Sequence, residues 1–284
     1  MRNRIIGVAL LGASPAALHA QQAAPIAIGE THAVQSRALG ETRNVNVVLP
    51  AGYAKNRAKR YPVVYLIDGG VDQDLLHVSG VAHLGALWGR SQEAIVVGIE
   101  TKDRRRELVG PTRDPELLKK YPTAGSSNAF RGYIRDEVKP LIERTYRITG
   151  DDAVLGESLA GLFVIETMLE EPALFDAFAA IDPSLWWDKE ALSRAAARKG
   201  PLALQGKRVF IARAKEQSEE PAPMDRMLSV IRRSGSAWCF SDRTDLFHST
   251  IYQQVSPQAF QFILPPAEAP PADFHFEVQC SAKS

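Results

Sequence analysis

The sequence predicts an α/β fold with a mostly parallel central sheet, an antiparallel N-terminal hairpin and helices on both faces of the sheet. The first observation is a continuous apolar and β-branched run, 61–67, which ends at Gly69-Gly70 as a strand buried on both faces does. The second is that strand-like and helix-like segments alternate from this run to Ile263. Because no linker interrupts the alternation, we expect a single domain over residues 31–264.

The hairpin is predicted before this central strand. Alternating side chains over Thr31–Ser36 and Arg43–Leu49, with Gly40 in the turn between them, are typical of antiparallel strands at a sheet edge.

The other elements follow in chain order. Further strands are predicted at Ala94–Ile99, Ala153–Leu155, Ala177–Ile181, Arg208–Ala212 and Trp238–Phe240. Helices are predicted between them, at Leu75–Trp88, Ala129–Tyr146, Ser158–Leu169, Lys189–Arg198, Met224–Arg233 and Thr250–Ile263. In Ala129–Tyr146 the apolar residues recur at helical spacing. The stretch Thr101–Asn128 has little periodicity, so we expect a long functional loop there. The Pro-rich tail, 265–284, is expected to lie over the surface.

The N-terminus has the pattern of a secretory signal. Arg2 and Arg4 precede a short apolar run, and polar sequence follows Ala20, so residues 1–20 are expected to be removed after Ala20. Residues 21–30 would then be a flexible lead-in to an exported protein, periplasmic or secreted. No later apolar run is long enough to predict a membrane span. Export would permit a disulfide between Cys239 and Cys280, but the sequence leaves this pairing open.

The charge composition argues against nucleic acid as a partner. The chain has 34 basic and 33 acidic residues, a formal net charge of +1, so it has no strong overall field.

A nucleophile is indicated by Gly156-Glu157-Ser158-Leu159-Ala160, which lies between a predicted strand and a predicted helix. A serine on such a sharp turn is exposed at the carboxyl end of the sheet, and small residues let the strand and helix pack around it. Ala160 stands where glycine is more common, and Gly161 follows it. The alternative is that Ser158 only caps the helix.

Several segments together resemble one known family. They are the run Tyr61 to Gly70, the Arg-rich stretch Arg104 to Thr112, the helix Phe130 to Tyr146, the Ser158 turn, and Asp182-Pro183-Ser184-Leu185-Trp186-Trp187. They are similar to the esterase D-like branch of the α/β-hydrolases, and the last is closest to siderophore esterases of the enterobactin type. The resemblance runs from about Arg43 to Ile263 and implies an α/β-hydrolase fold.

The general base is inferred from chain order. A serine hydroxyl needs a base, and in this fold the order along the chain is serine, acid, histidine. His248 lies between a strand and the last helix, where the family has its base. The other histidines precede Ser158 or lie in the tail. Glu216, the first acidic residue after the strand at 208–212, is the expected orienting acid. Glu219, Glu220, Asp225 and, more weakly, Asp245 compete with it, and a Ser–His dyad without an acid stays open.

For the oxyanion hole, Leu159 is indicated by its place after the nucleophile and Gly70 by the resemblance. The substrate contacts are inferred from positions along the chain. The backbone N–H groups of Leu159 and Gly70, or Val71 in place of Gly70, would bind the oxyanion. Asp68 would shape the loop rather than act as the acid. Trp186 and Trp187 would either wall an acyl pocket or pack in the core. Arg104, Arg105 and Arg106 would either attract an anionic substrate or form a solvated face.

The expected function is therefore that of an exported serine carboxylic-ester hydrolase that works through an acyl-enzyme on a small-molecule ester. Siderophore trilactones are the first candidate, and feruloyl or acetyl esters of polysaccharide are the alternative. Acyl transfer by the same fold and a catalytically silent binding protein stay open, as does the oligomeric state. We expect no metal and no organic cofactor.

Overall fold

A computed structural model describes residues 23–200 and 202–283. In this part of the chain the strands are β1 (Glu30–Ser36), β2 (Glu41–Val48), β3 (Tyr61–Ile67), β4 (Ile95–Ile99), β5 (Ile148–Glu157), β6 (Ala177–Ile181), β7 (Arg208–Ala214), β8 (Ala237–Arg243) and β9 (Ala282–Lys283). They form one sheet in the order β1-β2-β4-β3-β5-β6-β7-β8-β9. Strands β3 to β8 are parallel, and β1 and β2 form an antiparallel hairpin. The predicted mostly parallel sheet and its N-terminal hairpin are confirmed.

The helices, in chain order, are α1 (Leu75–Leu87), α2 (Arg104–Glu107), α3 (Pro115–Lys120), α4 (Ser127–Tyr133), α5 (Lys139–Thr145), α6 (Leu159–Glu170), α7 (Trp187–Arg198), α8 (Lys215–Glu219), α9 (Ala222–Arg232) and α10 (His248–Ile263). A π-helical turn, Ile134–Val138, joins α4 to α5, so the single helix predicted for Ala129–Tyr146 has an irregular middle. Short 3₁₀ turns lie at Pro172–Leu174 and Ala272–Phe274. All the predicted helices are present. The start of α7 is irregular, because Asp188, Lys189 and Glu190 have positive φ.

Helices cover both faces of the sheet, and each face has its own apolar core. Alternation along β3 places Tyr65 in one core, with Phe163 of α6 and Met227 of α9. It places Leu66 in the other core, with Ile251 of α10 and α1 beside it. Removing each such side chain from water contributes roughly 1.5–3 kcal/mol, so burial on both faces explains the continuous apolar run of this strand.

The segment Thr101–Asn128 is more ordered than its lack of periodicity predicts. Asp103 caps α2 by accepting hydrogen bonds from the backbone N–H groups of Arg105 (3.1 Å) and Arg106 (3.0 Å). Asp114 caps α3 in the same way, accepting from the N–H of Glu116 at 2.9 Å. These helices are too short to show an apolar stripe, and side-chain caps stabilise them instead.

The tail does more than cover the surface, because it extends the sheet. Strand β9 pairs antiparallel with β8, placing Phe240 opposite Ala282. A disulfide joins Cys239 to Cys280, with 5.3 Å between their Cα atoms. The pairing that the sequence left open is therefore formed in the structure.

The predicted signal peptide and its cleavage point after Ala20 lie outside the described residues. Within the described residues, no helix combines the length and the apolar character that crossing a bilayer requires.

Candidate active site

Ser158 occupies a strained turn at the carboxyl edge of the sheet. Strand β5 ends at Glu157 and α6 begins at Leu159, and Ser158 between them has φ 59° and ψ −117°. A positive φ costs a non-glycine residue of order 1–3 kcal/mol, and such strain is concentrated at functional sites. Gly156 permits the turn, because a Cβ there would lie 2.8 Å from the Cβ of Ala160. Such a Cβ would also lie 2.7 Å from the backbone carbonyl carbon of Ala160, so the turn needs glycine at 156 whatever the side chain at 160.

Backbone hydrogen bonds connect this turn to the segment after β6. The N–H of Ser158 donates to the carbonyl of Ile181 at 3.0 Å, and its carbonyl accepts from the N–H of Ser184 at 3.0 Å. The N–H of Asp182 in turn donates to the carbonyl of Ala212 in β7 at 2.9 Å. The ends of three neighbouring parallel strands are thus held in fixed relation, so side chains that follow β5 and β6 converge at one edge.

The His248 ring, at the start of α10, contacts a buried carboxylate. Its Nδ1 lies 2.5 Å from Oδ2 of Asp182, whose side chain is only 1% exposed. The other oxygen, Oδ1, accepts from the N–H of Ala214 at 2.8 Å and from Nε2 of Gln217 at 2.7 Å. An ionised carboxylate only accepts hydrogen bonds, so Nδ1 carries the proton and Nε2 is the basic nitrogen. The hydrogen bond to Asp182 raises the pKa of His248, while partial burial opposes the rise.

Glu216, the expected acid, contacts His248 in a different way. Its Oε2 accepts from the backbone N–H of His248 at 3.0 Å. This is a correction to the sequence analysis, because the carboxylate on the ring is Asp182. The physical reason is that the first acidic residue after β7 lies in α8, from which it reaches the start of α10 and not the imidazole. Of the competing acids, Glu220 lines the cavity that Ser158 and His248 also line, and Asp245 forms an ion pair with Arg243.

The second ring nitrogen faces Glu157. Nε2 of His248 lies 3.4 Å from Oε1 of Glu157, whose side chain is 17% exposed. Burial raises the pKa of Glu157 to about 7, against the lowering effect of His248 and Arg104. Burial, together with the charge of Asp68, also raises the pKa of nearby Asp74, to about 6. The imidazole thus lies between two carboxyl groups, and Glu157 is only partly ionised near neutral pH.

Ser158 and His248 line one cavity of about 330 Å³, together with Asp182, Ser184 and Trp186. The hydroxyl of Ser158 lies 3.3 Å from that of Ser184, and either can be the donor. The structure thus brings together the serine and the histidine that the sequence singled out, at the end of the sheet that was predicted. Hydrogen bonds between catalytic groups are often loose in a protein without substrate and tighten when it binds.

The two expected oxyanion donors differ in availability. Leu159 is the first residue of α6, so its N–H has no partner within the helix and the helix dipole adds to its positive character. The N–H of Gly70 donates to Oε1 of Gln73 at 2.9 Å. Gln73 would have to turn away before that donor could bind an oxyanion. Val71, the alternative to Gly70, is 54% exposed.

The tandem tryptophans have different environments. Trp186 is 52% exposed and lines the cavity. Trp187 is buried and packs against Tyr121, with the guanidinium of Arg105 5.3 Å from its ring centre.

Neither Arg104 nor Arg106 belongs to the cavity lining. Arg104 pairs with Asp68, and its Nε donates to Oδ2 at 2.9 Å. Asp68 also accepts a hydrogen bond from the hydroxyl of Thr101. These two contacts are consistent with the loop-shaping role expected of Asp68. Arg106 pairs with Glu41 at 2.5 Å and with Glu107 at 2.7 Å.

Asp182 was missed in the sequence, although a signal for it exists. It directly follows β6, which is the strand next to β5 in the sheet, and so stands in the same relation to its strand as Ser158 does. Its place between Ser158 and His248 also satisfies the chain order of the fold. Within the described residues, no cluster of three or more His, Cys, Asp or Glu is arranged to hold a metal ion.

Comparisons with known proteins identify the family of this chain. Residues 36–237 match the family described as "Putative esterase". A ferri-bacillibactin esterase, BesA of Bacillus subtilis, is 32% identical over 149 residues, which are 45% of this chain and 50% of BesA. A siderophore triacetylfusarinine C esterase of Aspergillus fumigatus is 24% identical over 52% of this chain and 53% of its own length. This chain thus spans about half the length of these relatives.

Solved structures show the same fold. An IroE-like serine hydrolase from Shewanella oneidensis superposes with a TM-score of 0.70 at 24% identity, over 83% of this chain and 78% of that one. The siderophore hydrolase EstB from Aspergillus nidulans has a TM-score of 0.71 at 18% identity, over 89% and 99%. The predicted α/β-hydrolase fold is therefore confirmed.

Proposed function

Because this chain belongs to the "Putative esterase" family, we propose that it is a carboxylic ester hydrolase with Ser158 as nucleophile and His248 as general base. The observation that carries the proposal is the cavity in which both side chains lie, with Nδ1 of His248 held 2.5 Å from the buried Asp182. Such a pairing leaves the basic nitrogen of the ring free to take a proton.

The reaction proceeds in two halves. Ser158 turns from Ser184 toward Nε2 of His248, which takes the hydroxyl proton as Oγ bonds to the ester carbonyl carbon. The tetrahedral intermediate collapses, and the alcohol leaves with the proton from Nε2. Water then attacks the acyl-enzyme while Nε2 accepts its proton. The acid departs, and Ser158 recovers its hydrogen from His248.

Transition-state stabilisation is assigned to the start of α6. The N–H of Leu159 and the positive end of the helix dipole lie beside the nucleophile, where negative charge develops on the carbonyl oxygen. Asp182 stabilises the imidazolium that forms in each half-reaction, and we assign it the role first expected of Glu216.

Siderophore esters are the proposed substrates. One relative is named a ferri-bacillibactin esterase and another a siderophore triacetylfusarinine C esterase, and these names support the proposal. We further propose that the protein is exported. The Cys239–Cys280 disulfide supports this, because such bonds persist in oxidising compartments.

The test is the variant Ser158→Ala, assayed with p-nitrophenyl butyrate and with a siderophore ester. We expect a loss of at least about 10³-fold in kcat, since a hydroxyl nucleophile has no substitute. A fluorophosphonate probe should add one covalent group to the native protein and none to the variant.

The matched control is Ser184→Ala, which removes the hydroxyl beside Ser158 and leaves the nucleophile in place. We expect it to keep activity within about tenfold, because a single neutral hydrogen bond is worth about 1 kcal/mol. Turnover by Ser158→Ala at the native rate would refute the proposal.

A further inference from the structure

The cavity that holds Ser158 and His248 carries negative charge. Its charged lining, besides His248, consists of three carboxylates, Asp182, Glu216 and Glu220. None of the described residues that line it is Lys or Arg. Asp182 is buried and its Oδ2 accepts a hydrogen bond from the imidazole. Glu216 and Glu220 are exposed, so their negative charges can act on a substrate that enters the cavity.

The neighbouring basic groups, Arg104 and Lys215, lie outside the cavity lining. The guanidinium of Arg104 pairs with Asp68 at 2.8 Å and is not part of the cavity lining, and its charge opposes the rise in the pKa of Glu157. Lys215 lies beside the site, with its ammonium 5.2 Å from the ring centre of Phe247, and is likewise outside the lining. On the other side of the imidazole, Glu157 adds a further carboxylate 3.4 Å from Nε2.

One wall of the cavity is apolar. Trp186 presents a ring that is 52% exposed, and Pro223 also contributes to the lining. A substrate therefore meets an aromatic surface and two carboxylates at the same time. An uncharged group with apolar area gains contact with Trp186 without repulsion, whereas an anionic group is repelled by Glu216 and Glu220.

We propose that the site selects uncharged esters and discriminates against polyanionic ones, with Glu220 and Glu216 as specificity-determining residues. This inference rests on the proposed function. Among siderophore esters it favours ferric trihydroxamates, in which three singly charged hydroxamates neutralise Fe(III). It disfavours ferric tris-catecholates, in which doubly charged catecholates leave a trianion. We therefore no longer expect Arg104 and Arg106 to attract an anionic substrate to this site.

The experiment compares two esters of equal acyl length that differ in charge. These are p-nitrophenyl pentanoate and mono-p-nitrophenyl glutarate, in which a carboxylate replaces the terminal methyl group. At low ionic strength we expect kcat/KM for the neutral ester to exceed that for the anionic ester by about tenfold. Added salt should reduce this ratio, because it screens exposed charges. Ferric triacetylfusarinine C and ferric enterobactin form the second pair, with the same expected order.

Glu220→Lys is the variant that tests the mechanism, and Glu219→Lys is its matched control. Both make the same change of charge at an exposed position, but only Glu220 lines the cavity. We expect Glu220→Lys to lower the neutral-to-anionic ratio by about fivefold at low salt, and Glu219→Lys to change it by less than about twofold.

Two results would overturn the inference, and they are distinguishable. If the native protein hydrolyses both esters equally well, with no effect of salt or of Glu220→Lys, the charge selection is refuted while the proposed hydrolase activity stands. If neither ester of either pair is hydrolysed, the proposed function fails and the inference fails with it.

Discussion

Replacing Asp182 with Asn distinguishes it from Glu216 as the residue that orients the general base. In the native protein Oδ1 of Asp182 accepts two hydrogen bonds, from Ala214 and Gln217, and Oδ2 accepts the ring proton of His248. An Asn can keep both Oδ1 contacts, so the surrounding backbone should not change. Its amide nitrogen, however, would replace the acceptor that faces Nδ1.

The expected loss follows from the tautomer of the ring. An amide donor opposite Nδ1 forces this nitrogen to accept, so the proton moves to Nε2 and His248 can no longer take a proton from Ser158. In serine–histidine–aspartate sites the same change lowers kcat by about 10⁴, which corresponds to about 5.5 kcal/mol of transition-state stabilisation. The stability should fall far less, by about 1–3 kcal/mol for one charged hydrogen bond.

The assay measures kcat/KM for p-nitrophenyl butyrate in Asp182→Asn and Glu216→Gln, with thermal unfolding as a check on the fold. A Gln at position 216 keeps an oxygen that can accept from the backbone N–H of His248, so we expect a loss of less than about tenfold. The reasoning is refuted if Asp182→Asn keeps activity within tenfold of the native protein, or if Glu216→Gln is the more damaged of the two variants.

Two further predictions concern the pH dependence and the disulfide. The raised pKa of His248 places the acid limb of kcat/KM above the ordinary pKa of histidine, because the base must be neutral. Glu157→Gln removes the carboxylate near Nε2, so the acid limb should move to lower pH by about half a unit to one unit. Glu219→Gln is the control. An acid limb that does not move in Glu157→Gln would contradict the assignment of this limb to His248. Replacing Cys239 and Cys280 together by Ala opens a loop with a sequence separation of 41. Urea unfolding should then show a loss of about 4 kcal/mol by the chain-entropy relation, and a loss under about 1 kcal/mol would count against it.

The surroundings of the His248 ring determine how kcat/KM depends on pH. With Nε2 facing Glu157 and the Ser158 hydroxyl next to Ser184, a protonated His248 lies between two carboxylates. That arrangement stabilises the imidazolium, which is inactive as a base. Loss of the proton weakens the attraction to Glu157 and leaves Nε2 able to accept from Ser158.

Local patterns were sufficient for most of the fold. The run 61–67 predicted a strand buried on both faces, because a strand with cores on both sides needs apolar residues at every position. The last helix was expected over Thr250–Ile263, and α10 begins only two residues earlier, at His248. The helices α2 and α3 were missed, because four and six residues are too few to show a periodic apolar face.

By itself the sequence determined the turn at Ser158 and the place of His248 at the start of the last helix. The glycines of a turn, the pattern of a strand and the order of residues along the chain can all be read without coordinates. Only the tertiary structure decided that Asp182 rather than Glu216 meets the imidazole. That partnership depends on the direction of side chains at the ends of adjacent strands, which sequence separation does not specify. The charge of the cavity lining was decided in the same way, because Glu216 of α8 and Glu220 just after it line the cavity. Arg104 pairs with Asp68 and is not part of the lining.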